Sequence, residues 1–99
     1  MRSITHGDVV AAACALMSWP ERSRRSLIVR FLEQAHIADI YRKRTGRIHP
    51  VWGNGTLMAA VLQNRALPTE PLMSDSAYLN AVSIVIEALL SWRQRANTS

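Results

Sequence analysis

An all-α fold, a compact helical domain of about four helices with a long second helix, is what this sequence predicts, and three observations predict it. Apolar residues return at 3.6-residue spacing in four separate stretches. Cap residues, prolines and glycines punctuate the gaps between those stretches. Hydrophobic residues make up 48% of the chain and charged residues 19%, a balance that excludes a disordered chain. A length of 99 residues fits one domain, 1–99, able to bury only roughly 60 to 65% of its unfolded surface. So little polar surface on so small a body also points to self-association.

The first helix is expected over about 6–18. "THGD" offers Thr5 as a cap with Asp8 three residues on, a capping-box arrangement. Val9, Val10, Ala13, Leu16 and Met17 then share one face, which is core. The second helix is expected over about 20–45. Ser18 stands as its cap, Pro20 lies in the first turn where a missing N–H costs nothing, and Glu21 follows three residues past the cap. Gly46 supplies the left-handed position that ends it. About 25 residues at 1.5 Å each give a rod on the order of 38 Å. Leu27, Ile28, Phe31, Leu32, Ala35 and Ala38 share one arc, whereas Ile37, Ile40 and Tyr41 turn toward another side. The distal half of the rod is therefore expected to meet a different packing partner.

The third helix is short, about 55–64, with Asn54 or Thr56 as cap and Leu57, Met58, Val61 and Leu62 on its apolar side. "RALPTEPLMSD" reads as a linker, because Pro68 and Pro71 bracket a span that neither a helix nor a central strand tolerates. Ser74 or Asp75 opens the fourth helix, about 75–95, which carries two basic residues in its last turn, favourable to the helix dipole. Tyr78, Leu79, Val82, Val85, Ile86, Leu89 and Leu90 form one wide apolar face, and Ala81, Ile84 and Ala88 extend it round the back. A helix with so narrow a polar arc is either central to its own domain or shared between subunits. The tail "RQRANTS" is expected to fray.

The formal charge is +5 and unevenly spread. Residues 22–47 hold Arg22, Arg24, Arg25, Arg30, Arg42, Lys43, Arg44 and Arg47 against Glu33 and Asp39 alone, so this segment carries +6. Such a field draws polyanions, although arginines also solvate the outer face of an amphipathic helix. A compact helix-turn-helix is not evident, because the helix after "SWPE" is much longer than a usual recognition helix.

Little in the chain points to catalysis. His6, His36 and His49 lie on separate segments and Cys14 has no C-x-x-C partner, so no metal and no cofactor are expected. Asp8, Glu21 and Asp75 occupy helix starts, where their charge already has a structural use. Glu33, Asp39, Glu70 and Glu87 form no acid–base motif, and a non-enzyme is expected. No run reaches the roughly 18 apolar residues that span a bilayer, and "MRSITHGD" lacks the apolar run of a signal peptide. The expectation is no membrane and a cytoplasmic location.

"RIHPVWGNGTL", residues 47–57, is the most unusual stretch. Gly46 stops the long helix, Pro50 biases His49 toward an extended shape, and "GNG" provides a tight reversal. Trp52 either closes a small core or joins Arg47 and His49 in an interaction surface beside Arg42, Lys43 and Arg44; the residue types suit both.

Together "HGDVVAAA", "RKRTGRIHPVWGNGTLMAA" and "YLNAVSIVIEALLSWR" resemble short helical proteins of alphaproteobacterial gene transfer agents and related prophage-type clusters, and among these the small subunit of the DNA-packaging terminase. The resemblance covers most of the chain. It implies a non-enzymatic adaptor that forms a homo-oligomer, engages DNA and a large terminase subunit, and leaves ATPase and nuclease work to that subunit. Many small terminases carry a separate N-terminal helix-turn-helix domain, a central helical oligomerisation region and a C-terminal segment for the large subunit, and this chain is too short for all three as distinct domains, so sequence-specific recognition is the property least transferable. The resulting expectation is that Arg22, Arg24, Arg25, Arg42, Lys43, Arg44 and Arg47 contact DNA backbone with weak sequence selectivity. Ile37, Ile40, Tyr41, His49, Trp52, Ile84 and Ala88 are expected at protein contacts. The alternative is a small helical regulatory module that binds an acidic protein and has little affinity for free DNA. A sequence-selective transcriptional regulator is a third reading.

Overall fold

The computed structural model of the chain describes residues 2–63 and 69–98, with side chains through residue 95. Among the described residues four helices follow in order: α1 (His6–Met17), α2 (Glu21–Thr45), α3 (Leu57–Leu62) and α4 (Ser76–Thr98). Among the described residues there is no strand, only an isolated bridge between His49 and Gly53.

The start of α1 is the expected capping box. The Thr5 hydroxyl accepts from the Asp8 N–H, and the Asp8 carboxylate accepts from the Thr5 N–H at 2.8 Å through Oδ2. Asp8 does more than local capping: its Oδ1 accepts from the Met58 N–H at 2.8 Å, at the start of α3. One buried carboxylate thus satisfies donors at two helix beginnings. Val10, Ala11, Ala12 and Ala13 are buried in succession, which a helix allows only when neighbours enclose it on all sides. α1 touches each of the other three helices, while α3 and α4 each lie against α1 and α2, their own backbones staying apart among the described residues.

The turn into α2 differs from expectation. Ser18 has αR backbone angles and closes α1, its N–H donating to the Ala15 carbonyl and the following Trp19 N–H to the Leu16 carbonyl, whereas a side-chain N-cap needs extended geometry. The N-cap position of α2 is Pro20, without a side-chain capping bond. Its far end is as expected: Gly46 is left-handed and donates its N–H to the Arg42 carbonyl at 2.8 Å. Ile28, Phe31, Leu32, Ala35 and Ala38 are buried along one face, and the first three of these join Leu16, Leu57, Val61, Tyr78 and Val85 in the central cluster. The different partner expected for the distal half of α2 turns out to be the chain's own 46–56 loop, against which Tyr41 rests.

α3 is capped by Thr56, whose hydroxyl accepts from the Ala59 N–H. It ends at Leu62, and Asn64, the expected end, lies outside the described residues, as does Pro68 of the linker. Asp75 opens α4, its Oδ1 accepting from the Ala77 and Tyr78 N–H groups. α4 then stays helical to Thr98, past the expected end and through most of the tail expected to fray. Its buried side is centred on Tyr78, Ala81, Ile84 and Val85, so the apolar face is rotated relative to the sequence reading: Leu79, Ile86 and Leu90 are exposed, at 43%, 46% and 58%. The Cα radius of gyration is 13.3 Å, the value of about 13 Å expected for a packed chain of this length.

Candidate functional site

The sequence reading of a DNA surface rests on seven cationic residues, and α2 separates them into two groups. From Arg22 to Arg42 is 20 helical residues, about 30 Å of rise, so the groups do not share one patch. In the first group Arg24 donates to the Trp19 carbonyl at 3.0 Å, and Arg25 pairs with Glu87 on α4. These contacts pin the entry of α2 and tie it to α4. Arg22 is exposed beside them.

The second group is more concentrated. Arg42 and Lys43 close on Asp39 at 3.0 and 3.1 Å, spaced i,i+3 and i,i+4 on the same helix. Asp39 is only 2% exposed. Burial pushes its carboxyl upward, but the hydrogen bonds from Lys43 and Arg42 outweigh burial and hold it well below the usual carboxylate range. Arg44 and Arg47 are exposed and form no ion pair among the described residues. Four cations therefore stand against one carboxylate at this end of α2. Arg2 adds a fifth at the rim of a shallow basin that Arg42, Lys43, Asp39, Ser3 and Thr56 also line.

The loop that follows is an ordered device built from His49. Its backbone exchanges both hydrogen bonds with Gly53, at 3.0 and 3.1 Å. Its Nδ1 accepts from the Val51 and Trp52 N–H groups, so the imidazole does for this turn what an Asn or Asp side chain commonly does. The ring stacks on Trp52, 4.8 Å between centroids and 6° from parallel, and Tyr41 meets it edge-on at 5.1 Å. Asn54 Oδ1 accepts from the Thr56 N–H and hydroxyl, which aims Thr56 into α3. Trp52 is half-buried and completes a local ring stack with His49 beside the basic helix end.

The remaining expected contact residues scatter. Ile37 is 48% exposed, Ile40 and Tyr41 are half-buried, and Ala88 is half-buried against the core. Ile84 is a correction. At 4% exposure it belongs to the core, because the buried arc of α4 is centred one side-chain step away from the face the sequence wheel selected. Leu79, Ile86 and Leu90, on the wide face read as either central to the domain or shared between subunits, are the large apolar groups that α4 leaves uncovered among the described residues.

Two residues to which the sequence reading gave no part in the basic end shape it. Asp39 looked like an acid without a motif, although its basic neighbours three and four positions on were a visible signal. Gly55, at φ +95°, lets the loop backbone lie on Asp39: a Cβ there would fall 2.8 Å from the Asp39 Cα and Cβ. Among the described residues no group of three His, Cys, Asp or Glu side chains could hold a metal ion. Nor is any described helix long and apolar enough to cross a membrane.

The family model described as a domain of unknown function (DUF7742) matches residues 2–89. No curated protein and no solved structure matches the chain.

Proposed function

From the premise that the chain belongs to the DUF7742 family, whose description assigns no activity, we propose that it is a non-enzymatic adaptor that binds DNA backbone through the C-terminal end of α2. The adaptor is of small-terminase type, self-associating and carrying DNA to a large terminase subunit. The observation that carries the DNA contact is the basic helix end itself, where Arg44 and Arg47, exposed and without an ion pair among the described residues, stand beside Arg42 and Lys43. Supporting it, Arg47 is held close to the helix end, since its N–H donates to the Thr45 hydroxyl at 3.1 Å and the preceding Gly46 N–H donates to the Arg42 carbonyl, so less ordering entropy is lost on binding. The DNA contact is narrowed to Arg42, Lys43, Arg44 and Arg47, which stand together at one end of α2, whereas Arg22, Arg24 and Arg25 lie about 30 Å away at its other end.

Backbone binding is a salt-dependent equilibrium. With three to four phosphates neutralised and a slope near −0.9 per phosphate, affinity falls by roughly 40- to 150-fold between 50 and 200 mM salt. Fluorescence anisotropy with two duplexes of unrelated sequence measures this. Equal affinities and a slope that flattens by about 2 in Arg44→Glu/Arg47→Glu are the expected result. Binding that ignores salt, or that survives this double reversal unchanged, overturns the proposal. Stoichiometric capture of an acidic protein with no affinity for free duplex would favour the regulatory module instead.

A further inference from the structure

The uncovered side of α4 has a pattern of its own. Leu79, Ser83, Ile86 and Leu90 follow each other at steps of four, three and four residues, the spacing of a two-helix seam. At 100° per residue they fall within an arc of about 60°, and over about 17 Å of helix. All four are exposed, on the side turned away from Tyr78, Ala81 and Val85. α1 and α2 pack elsewhere on α4, and the α3 backbone stays apart from it among the described residues.

We infer that this seam is the contact surface for a second copy of the chain, docked antiparallel, α4 on α4, about a two-fold axis passing between residues 84 and 85. In that register Leu79 of each copy faces Leu90 of the other, and the small Ser83 faces Ile86, so every large apolar group finds an apolar or small counterpart. Charge selects the direction. α4 opens at Asp75 and carries Arg93 and Arg95 near its other end. Antiparallel docking brings Asp75 of one copy beside Arg93 of its partner, both on the same flank of the seam, and opposes the two helix dipoles, whereas parallel docking stacks like charge on like charge. The contact is isologous and closes at two copies. It displaces the expected subunit role of Ile84, which the core already uses. It also stands apart from DNA binding, since the seam and the basic end of α2 share no residue.

Three large apolar side chains per copy make a small interface, below the roughly 800 Å² per partner of standard complexes, so the dimer is a weak one. Sedimentation equilibrium of the full chain, without DNA, up to about 1 mM tests it. The mass is expected to climb from 11.1 kDa toward twice that value and no further. Ile86→Glu and Leu90→Lys, each at an exposed position, raise the dissociation constant at least about tenfold by placing charge in the seam, with an unchanged far-ultraviolet spectrum. Direction is read by a mutant cycle: Asp75→Asn keeps a capping side chain, and combined with Arg93→Gln it weakens the dimer no more than the larger single effect. A monomer across the range, a mass rising past two chains, or dimers indifferent to both seam variants overturns the inference. Strict additivity in the cycle overturns the antiparallel register.

Discussion

Replacing Gly55 by alanine is a severe perturbation for so small a change, and Gly46 provides its internal control. Both glycines have positive φ, +70° at Gly46 and +95° at Gly55. At Gly46 an added methyl meets nothing within 4 Å, so Gly46→Ala loses only the backbone preference, about 1 kcal/mol. At Gly55 the methyl lands 2.8 Å from both Cα and Cβ of Asp39, and 2.9 Å from its Oδ1. Two of these three atoms cannot swing aside, because they are the backbone carbon of a 25-residue helix and the carbon attached to it. Overpacking of this kind costs about 1 to 3 kcal/mol, on top of a backbone penalty at least as large as that at Gly46. Gly55→Ala is therefore expected to lose about 3 kcal/mol. For a domain of this size each kcal/mol moves Tm by about 4–8 °C, giving a fall of about 12–24 °C, against about 4–8 °C for Gly46→Ala. Urea unfolding followed by circular dichroism gives the same comparison as a shift in midpoint at constant slope. Equal losses in the two variants would refute the close seating of the loop on Asp39.

Two further outcomes follow from ionisable groups. The folded-state pKa of Asp39 is depressed, so its stabilisation is present above the unfolded value of about 3.9 and is lost as pH falls below it toward the folded value. Wild-type protein should lose stability from about pH 4 downward, whereas Asp39→Asn should be about 1–3 kcal/mol weaker at pH 7 and show a flatter acid limb; parallel limbs in denaturant titrations would contradict the role given to this carboxylate. Burial, then the charge of Glu70, push the Cys14 thiol up. Because the thiolate is the reactive form, alkylation of Cys14 at pH 8 should run slower than that of a free cysteine and accelerate at higher pH. A free-thiol rate at pH 8 would refute it.

Local signals carried the sequence reading a long way. Thr5 with Asp8, Gly46 after a basic run, and Thr56 before an apolar turn each act over three or four residues, and each was legible because the groups involved are near neighbours in the chain. The core face of α2 was legible for a similar reason, as one arc repeated over several turns. The reading failed where a decision depended on distant neighbours. Ser18 is an acceptable cap in isolation, but α1 extends far enough to claim it. α4 is apolar over so much of its circumference that its own periodicity could not say which flank α1 and α2 would cover, and Ile84 was exchanged with Ile86 for that reason. The basic residues were counted correctly as charges, yet Glu87 and the Trp19 carbonyl, which occupy Arg25 and Arg24, come from other parts of the fold or from a turn. His49 as an acceptor for two backbone donors follows from no composition rule, although the Pro50 and Gly53 around it marked the turn.

The double duty of Asp8 has a kinetic corollary. α3 spans six residues, far below the roughly 12–15 at which an isolated helix becomes even marginal in water, and its first-turn donor on Met58 is answered by a group 50 positions earlier in the chain. That short segment gains its winding only once the amino-terminal turn has arrived beside it. Amide protons of Ala60 and Val61 should then exchange with solvent on the same schedule as those of Val10 to Ala13, and the two segments would open as one foldon, however far apart the chain places them.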